Sequence, residues 1–384
     1  MLANQQSLFN IPEEITYLNC AYMSPMMTKV EEVGIEALKR KANPSSITAN
    51  DFFADTEKLR TEFAALINSP EPNRCVIIPS VSYGMGNVMR NVSLEEGDNV
   101  VVIGEQFPSN YYPWHRLCAE RKARLKVISS DSSKSGRGKK WNEKIHDAID
   151  NKTKLISLGH VHWADGTLFD LMEIRKRTND VGALMVIDGT QSIGALPFDL
   201  QEFQPDALIC AGYKWLMGPY SIGMAYYGPY FDEGVPIEEN WINRLNSEDF
   251  AGLVSYEDQY QPGALRYEVG EHSNFNLVPM LLKAIEQINA WSPAEIQNYC
   301  ADITKNELNA LEQKGFSIES PEWRGSHLFG IRLPENVEIS QLKSKLAEEQ
   351  INVSVRGDAV RVAPHLYNSR QDMQKLTDVL LHLK

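Results

Sequence analysis

Cysteine is scarce in this sequence, and the cysteines it has are scattered. The chain of 384 residues contains five, with no C-x-x-C pair and no histidine cluster at metal-ligand spacing. This pattern disfavours both a disulfide framework and a structural metal site. We therefore expect a reducing, cytoplasmic location and no bound metal. The cysteines are Cys20, Cys75, Cys118, Cys210 and Cys300.

Long apolar runs and an excess of positive charge are also missing. No run of about 18 apolar residues is present, and the first residues lack the charged and then apolar regions of a secretory leader, so we expect a soluble protein without a membrane segment. The formal net charge of −13 disfavours nucleic acid as a partner. The longest basic cluster, Arg137-Gly138-Lys139-Lys140, is predicted to be a solvated loop.

What the sequence does contain is typical of a globular protein of two domains. Hydrophobic residues make up 43% and charged residues 23% of the chain, which excludes disorder and fibrous repeats. Single hydrophobic cores stop growing at roughly 250–300 residues, so this length favours two cores. We place a large domain at residues 31–290 and a small domain at residues 291–384, with residues 1–30 packing against the small domain.

The pattern of short apolar runs predicts an α/β fold. Between about residues 74 and 230, runs such as Asn99-Val100-Val101-Val102-Ile103 and Leu184-Met185-Val186-Ile187 alternate with helical patterns. Strands spaced in this way need crossover connections, which indicates a mostly parallel sheet covered by helices on both faces. After about residue 293 the pattern is that of a smaller α+β domain. The acidic, aromatic stretch 233–261 is interpreted as an active-site or dimer-contact excursion.

Two candidate catalytic residues follow apolar strands of this sheet. Asp188 ends the run Val186-Ile187, and ligands of open α/β sheets bind outside such strand ends. Lys214 follows the run 207–210 and stands between two aromatic residues, an unusual place for a solvated ammonium group. Taken singly, each is explained by a turn or a surface position. A desolvated lysine, however, is a nucleophile that forms imines.

Together these two residues meet the requirements of pyridoxal phosphate. This cofactor needs a lysine for its aldehyde and a carboxylate that keeps its ring nitrogen protonated. Its phosphate group favours the backbone amides of a helix N-terminus, and residues 79–87 supply a strand, a hydroxyl-rich turn and a helix in that order. The sequence also lacks the glycine fingerprint of a dinucleotide-binding domain, which excludes a Rossmann dehydrogenase.

The order of these motifs resembles that of the class V aminotransferase family of pyridoxal-phosphate enzymes. This family includes cysteine desulfurases, kynureninases and isopenicillin N epimerase-like proteins. The similarity extends from Tyr17-Leu18-Asn19-Cys20-Ala21 to Tyr367-Asn368. It implies the fold type I of pyridoxal-phosphate-dependent transferases, with a large domain built on a mostly parallel sheet and a smaller α+β C-terminal domain.

The resemblance implies a role for each residue around the cofactor ring. Lys214 matches the Schiff-base lysine, and Asp188 matches the partner of the ring nitrogen. Gln191 matches the residue that contacts the phenolic oxygen. Phe107, within the segment 104–110, matches the flat side chain over the ring, where cysteine desulfurases carry histidine.

It also implies a phosphate site that two subunits share. Ser82 and Tyr83 match the phosphate-binding turn, and Tyr213 is expected to reach the phosphate because Ala211 replaces a phosphate-binding serine of the desulfurases. The segment 263–274 resembles the stretch that reaches the neighbouring subunit's cofactor, where Ser273 is the candidate contact. Trp241 is a further candidate near the phosphate. The resemblance thus implies a homodimer with its active site at the subunit interface.

For the substrate, the resemblance points to the region before Tyr367. Arg361 matches the arginine that binds the α-carboxylate, and Arg356 is a second candidate for an anion contact or a surface residue. His162 precedes Trp163 in a run that resembles a kynureninase motif. An imidazole or an indole is therefore expected near the cofactor, although a core histidine explains His162 equally well.

The reaction within the family is less constrained. The segment 355–360 is short and has no cysteine, which disfavours the persulfide chemistry of a desulfurase. We expect an aminotransferase, with an epimerase or a β-eliminating lyase of the kynureninase or cysteine-lyase kind as alternatives. A regulatory protein that binds the cofactor without catalysis is the alternative of another class.

Overall fold

The computed structural model describes residues 2–130, 136–334, 339–357 and 359–382. Its helices are α1 Thr28–Lys41, α2 Ala54–Leu66, α3 Val81–Asn91, α4 Tyr112–Arg121, α5 Arg137–Ala148, α6 Leu171–Val181, α7 Leu200–Phe203, α8 Leu277–Trp291, α9 Pro293–Gln313, α10 Ile339–Glu348 and α11 Arg370–Leu381. Its strands are β1 Thr16–Tyr17, β2 Cys75–Ile78, β3 Asn99–Ile103, β4 Arg124–Ile128, β5 Thr153–Gly159, β6 Leu184–Asp188, β7 Ala207–Ala211, β8 Gly223–Tyr227, β9 Ser317–Ile318, β10 Phe329–Arg332, β11 Ile351–Asn352, β12 Ser354–Arg356 and β13 Ala359–Val362.

Seven strands form the large sheet in the order β2-β8-β7-β6-β5-β3-β4. All neighbouring pairs are parallel except those made by β8, which runs antiparallel to β2 and to β7. β2, β3, β7 and β8 are buried along their whole length, as expected for a sheet with helices on both faces. The predicted α/β fold with a mostly parallel sheet is confirmed.

Close packing brings α3 against this sheet. A Cβ atom at Gly84 would lie 2.7 Å from Cγ2 of Ile209 in β7, so only glycine allows the helix to approach so closely. Ser80 caps the helix by accepting the N–H of Tyr83 at 3.2 Å. The N-terminus of α3 is therefore fixed beside the carboxyl ends of β7 and β6.

A smaller antiparallel sheet, β12-β13-β10-β9, has its own hydrophobic core with α9, α10 and α11. The predicted smaller α+β C-terminal unit is confirmed. β1 pairs in parallel with β11, which supports the expected packing of the N-terminal segment against this unit. The boundaries at residues 30 and 290 stay predictions.

The basic cluster at residues 137–140 differs from the expectation. It forms the first turn of α5, and Arg137 is buried with its Nε donating to Asp165 at 2.9 Å. The prediction of a solvated loop is wrong for Arg137, because its charge is neutralised inside the protein. No helix within the described part of the chain combines the length and the apolar character that a membrane crossing requires.

Candidate active site

A cavity of about 290 Å³ opens at the carboxyl ends of β5, β6 and β7, where ligands of open α/β sheets bind. The turn before α3 and the segment after β3 close it from the sides. The residues that line it are Pro79, Ser80, Val81, Ser82, Gln106, Phe107, Ser109, Gly159, Val161, Trp163, Asp188, Thr190, Gln191, Ala211, Tyr213, Lys214, Tyr220, Ser221 and Ile222.

Lys214 supplies a buried amine to this cavity. Its side chain follows β7, is 6% exposed, and places Nζ 5.4 Å from the ring centroid of Phe107. Burial lowers the pKa of Lys214 to about 8 against the attraction of Asp188, and the positive charges of Arg361 and Arg356 add to the lowering. The neutral, nucleophilic amine is therefore accessible near neutral pH.

Asp188 supplies a buried carboxyl group that has no cationic partner within 4 Å among the described residues. It ends β6, and its Oδ1 accepts the N–H of Thr190 at 3.0 Å. Burial raises its pKa, although Thr190 and the charge of Lys214 act in the opposite direction. A carboxyl group in this state fits a protonated ring nitrogen, because that cation would supply the missing counter-charge.

Gln191 lines the same cavity but is held by the protein. Its Nε2 donates to the carbonyl of Ala21 at 3.1 Å, and its Oε1 accepts the indole N–H of Trp215 at 2.9 Å. An amide nitrogen has two N–H donors, so one remains for a ligand. The structure brings Gln191 to Asp188 and Lys214, as the prediction of a cofactor contact requires.

Two aromatic rings form the apolar wall of the cavity. The rings of Phe107 and Trp163 meet edge to face with centroids 5.5 Å apart. The indole N–H of Trp163 donates to the carbonyl of Glu105 at 2.7 Å, which fixes the orientation of the ring. Phe107 is the residue that the sequence predicted beside the cofactor ring. The sequence also predicted an imidazole or an indole near the cofactor, and the structure places the indole of Trp163 in the lining.

The phosphate end of the cavity differs in one residue from the expectation. Ser82 and Tyr213 line it, and the hydroxyl of Ser82 lies 3.0 Å from that of Ser80. The hydroxyl of Tyr83 instead donates to Glu238 at 2.8 Å, and the side chain is absent from the lining. Ser80 lines the cavity instead; it belongs to the hydroxyl-rich turn expected at residues 79–87, and it caps the helix.

Ser273 and Trp241 lie away from this cavity. Ser273 borders a separate depression beside Arg40, and Trp241 packs edge to face against Phe52 with centroids 6.2 Å apart. The contact predicted for Ser273 concerns the neighbouring subunit's cofactor, and it stays a prediction. The half-buried Trp241 belongs to an aromatic cluster with Phe52, Phe53 and Phe250.

His162 does not face the cavity, which corrects its assignment as a substrate contact. Its Nδ1 lies 2.9 Å from Oδ1 of Asp165 and its Nε2 lies 3.3 Å from the carbonyl oxygen of Glu105. The ring also packs edge to face on Trp141. Both nitrogens are used inside the protein, so the alternative interpretation as a core histidine describes it.

Arg361 is buried at 2% exposure behind Trp163. Its Nη1 donates to the carbonyl of Trp163 at 2.8 Å, and its Nη2 donates to Ser354 at 3.2 Å. Burial, together with the nearby charge of Arg356, lowers its pKa to about 10. Within the described residues no carboxylate pairs with it, which suits a residue that awaits an anionic ligand.

The arrangement fits pyridoxal phosphate at each of its functional groups. Lys214 can hold the aldehyde, Asp188 can face the ring nitrogen, and Phe107 supplies a flat apolar surface. Ser80, Ser82 and the N-terminus of α3 offer hydroxyls and amides to a phosphate. This constellation defines an α/β enzyme that uses a carbonyl cofactor.

The class V aminotransferase family profile matches residues 30–376, and the chain belongs to that family. It is accordingly a pyridoxal-phosphate-dependent enzyme that acts at the α-carbon of an amino acid. A probable cysteine desulfurase of Methanothermobacter thermautotrophicus is 27% identical over 392 residues, covering 95% of this chain and 93% of that protein. The uncharacterized aminotransferase YcbU of Bacillus subtilis is 25% identical over 324 residues, covering 84% and 82%.

Solved structures share the fold at low sequence identity. The cystine C-S lyase C-DES, in complex with cysteine persulfide, matches with a TM-score of 0.84 at 19% identity, covering 97% of this chain and 98% of that chain. The apo cysteine desulfurase of Thermococcus onnurineus matches with a TM-score of 0.83 at 18% identity, covering 99% and 98%. These likenesses confirm the predicted fold class.

Proposed function

We propose that this protein is an aminotransferase in which Lys214 holds the cofactor covalently and Asp188 faces the cofactor's ring nitrogen. The observation that carries the proposal is the shared cavity of these two residues: a buried amine with a lowered pKa lies beside a buried carboxyl group with a raised one. Phe107, Gln191, Ser82 and Tyr213 complete the proposed cofactor site from the same lining.

The side chains divide the chemistry among them. When bound, pyridoxal phosphate supplies an electron sink that acidifies the bonds at the substrate's α-carbon. With the cofactor bound, the amine of Lys214 would be the base placed to remove the substrate's α-proton and to return it. Arg361 orients the substrate by binding its α-carboxylate through a planar fork of donors.

The composition of the lining favours transamination within the family. Among the described residues, the lining holds one amine and neither an imidazole nor a thiol. A single amine suffices to move a proton from one carbon to another on one face, whereas epimerisation also needs a donor on the opposite face, for which Tyr213 and Tyr220 are the candidates in the lining. The relative YcbU, described as an aminotransferase, supports the same reaction.

Persulfide transfer, the reaction of a cysteine desulfurase, lacks its nucleophile here. All five cysteines are buried, and burial raises the pKa of Cys20 to about 12 and that of Cys118 to about 11. Such thiols are poor nucleophiles. β-Elimination remains the second candidate, because it also needs only one base and because the cystine C-S lyase C-DES shares the fold.

The test combines a spectrum with product analysis. Purified protein supplied with pyridoxal phosphate should develop a near-ultraviolet or visible band that borohydride removes and that Lys214→Ala lacks. A panel of L- and D-amino acids is then supplied with 2-oxo acids. Appearance of the amino group on the acceptor supports transamination, free ammonium with a 2-oxo acid indicates elimination, and inversion without transfer indicates epimerisation. A colourless protein unresponsive to the cofactor would favour a non-catalytic role.

We further propose that the active form is a homodimer in the cytoplasm. Tyr220, which lines the cavity, is 64% exposed, and Tyr22, which lies near Tyr213, is 57% exposed. Exposed apolar groups at such positions suit burial by a second copy, and Ser273 would then act across the interface. A strictly monomeric yet fully active protein in sedimentation would contradict the dimer.

A further inference from the structure

Two arginines on one face of the β12–β13 hairpin contact Trp163, a residue that lines the cavity. In the antiparallel register Ser354 lies opposite Arg361, and Arg356 lies opposite Ala359. Because side chains two residues apart share a face of a strand, Arg356, Ser354 and Arg361 all point to the same side. The hydrogen bond from Arg361 to Ser354 at 3.2 Å is the direct sign of this alignment.

Trp163 connects both guanidinium groups to the cavity. Its ring lines the cavity and lies 5.7 Å from the guanidinium carbon of Arg356, measured to the ring centroid. Its carbonyl oxygen accepts the Nη1 of Arg361 at 2.8 Å. Both positive charges also lower the pKa of Lys214, which places them within electrostatic range of the amine. The two arginines therefore flank one wall of the site.

Neither arginine has an acidic partner among the described residues. The acceptors of Arg361 are the Trp163 carbonyl, Ser354 and Asn19, and Arg356 donates to the carbonyl of Val355 at 3.3 Å. The Nε of each is buried and has no hydrogen-bond partner. The buried Arg60, in contrast, pairs with Glu268 at 2.7 Å, whereas the buried Arg266 donates to the carbonyls of Gly263 and Gly234.

One substrate α-carboxylate neutralises one guanidinium group, so the second remains to be matched. We propose that the substrate is an amino acid with an acidic side chain, whose α-carboxylate binds Arg361 and whose side-chain carboxylate binds Arg356. This inference rests on the proposed function, because it concerns the substrate of the same site. Arg356 is half-buried against the ring of Trp163, and the distal end of a substrate held at Lys214 would reach it on that side of the cavity.

The test compares ligands that differ in one charge and cannot react. Succinate and glutarate carry two carboxylates, whereas succinamate and glutaramate replace one by an amide of the same shape. Their dissociation constants are measured by calorimetry on the cofactor-loaded protein. We expect the wild type to bind each diacid about ten- to a hundredfold more tightly than its half-amide, as a charge-assisted hydrogen bond predicts.

Arg356→Gln should remove this preference while leaving half-amide binding within about threefold, and Arg356→Lys should restore part of it. Arg370→Gln is the matched control, because it removes one positive charge from a surface pair with Asp302, away from the cavity lining. The cofactor absorption band of each variant reports that its site is assembled.

Equal binding of diacid and half-amide by the wild type would overturn the inference. A preference that persists in Arg356→Gln would overturn it as well, since both arginines would then share one carboxylate or Arg356 would not bind the ligand. A protein that forms no cofactor band would overturn the proposed function and this inference together. A protein that forms the band but ignores the second charge would overturn this inference alone.

Discussion

The pKa values of two buried aspartates in this protein are shifted in opposite directions. Asp188 in the cavity is 8% exposed and Asp165, behind the cavity wall, is 5% exposed. Burial acts to raise the pKa of both carboxyl groups. For Asp188 burial prevails, whereas for Asp165 the groups of His162, Arg137 and Arg332 outweigh it and hold the pKa well below its usual range.

This difference indicates a structural role for Asp165 and a functional role for Asp188. Asp165 accepts from Arg137 at 2.9 Å and from Arg332 at 2.7 Å, so its charge is compensated in the folded chain. Asp188 has only the neutral partner Thr190 and a buried lysine in its surroundings. The same contrast distinguishes Arg361 from Arg60. A buried charge without a partner costs stability, and its retention indicates a ligand that supplies the partner.

The largest expected effect is at Lys214. Lys214→Ala should lower turnover by about 10³-fold or more, because it removes both the covalent anchor and the base. The measurement is single-turnover kinetics together with the borohydride-sensitive band. Lys283→Ala removes a partly exposed lysine that pairs with Glu286 and should leave both unchanged. Residual turnover near the wild-type rate would remove Lys214 from the mechanism.

The comparison of the two aspartates predicts opposite results for one chemical change. Asp188→Asn should lower turnover by about 10²-fold or more and change the free energy of unfolding by less than about 1 kcal/mol, since Thr190 can still donate to the amide oxygen. Asp165→Asn should lower the free energy of unfolding by about 3–5 kcal/mol, because it removes the carboxylate that two buried guanidinium groups contact. Denaturant titrations give the free energy of unfolding of both variants, and steady-state kinetics gives their kcat. Similar changes in the two variants would contradict the assignment of Asp188 to the reaction and of Asp165 to stability.

The arginines sharpen the same comparison. Arg361→Gln should raise KM by about 10²-fold and leave the free energy of unfolding nearly unchanged, because Arg361 has no carboxylate partner among the described residues. Arg60→Gln should instead cost about 3–5 kcal/mol of unfolding free energy, since Glu268 would lose one of its two buried partners and keep only His272 at 3.4 Å. A large loss of stability in Arg361→Gln would identify it as a structural residue.

The smallest effect concerns pH. Because the pKa of Lys214 is lowered to about 8, the neutral amine increases as pH rises, and the rate at which cofactor-free protein captures pyridoxal phosphate should rise through a midpoint near that value. An ordinary lysine would give a midpoint near 10.5. Arg356→Gln removes a charge that lowers this pKa, so its midpoint should move to higher pH. Stopped-flow absorbance measures the rate, and a profile without a midpoint below about 9 would contradict the lowered pKa.

Strands of the large sheet could be predicted from the sequence with accurate boundaries. The apolar runs quoted from the sequence at 99–103 and 184–187 agree with β3 at Asn99–Ile103 and β6 at Leu184–Asp188. The periodicity of apolar residues is a local signal, which explains this accuracy. The antiparallel direction of β8 was not predicted, because a buried run shows burial but not the direction of its neighbours.

The candidates that follow strand ends share one cavity, whereas the sequence could not indicate which loop residues face it. Asp188, Lys214, Phe107 and Ser82 reach one cavity because parallel strands end at the same edge of the sheet. His162 and Trp163 are adjacent in sequence, yet only the indole faces the cavity. Side chains of neighbouring residues in a loop point in different directions, and no pattern in the sequence indicates which.

The sequence by itself determined the alternation of strands and helices, and with it the edge of the sheet where an amine and a carboxyl group meet. Only the tertiary structure decided which buried charges are compensated. Charge compensation depends on residues far apart in the chain, such as Asp165 and Arg332, whose contact arises when the two sheets pack together. Asp188 and Arg361 stay uncompensated for the same reason: among the described residues, folding brings no opposite charge within 4 Å of either.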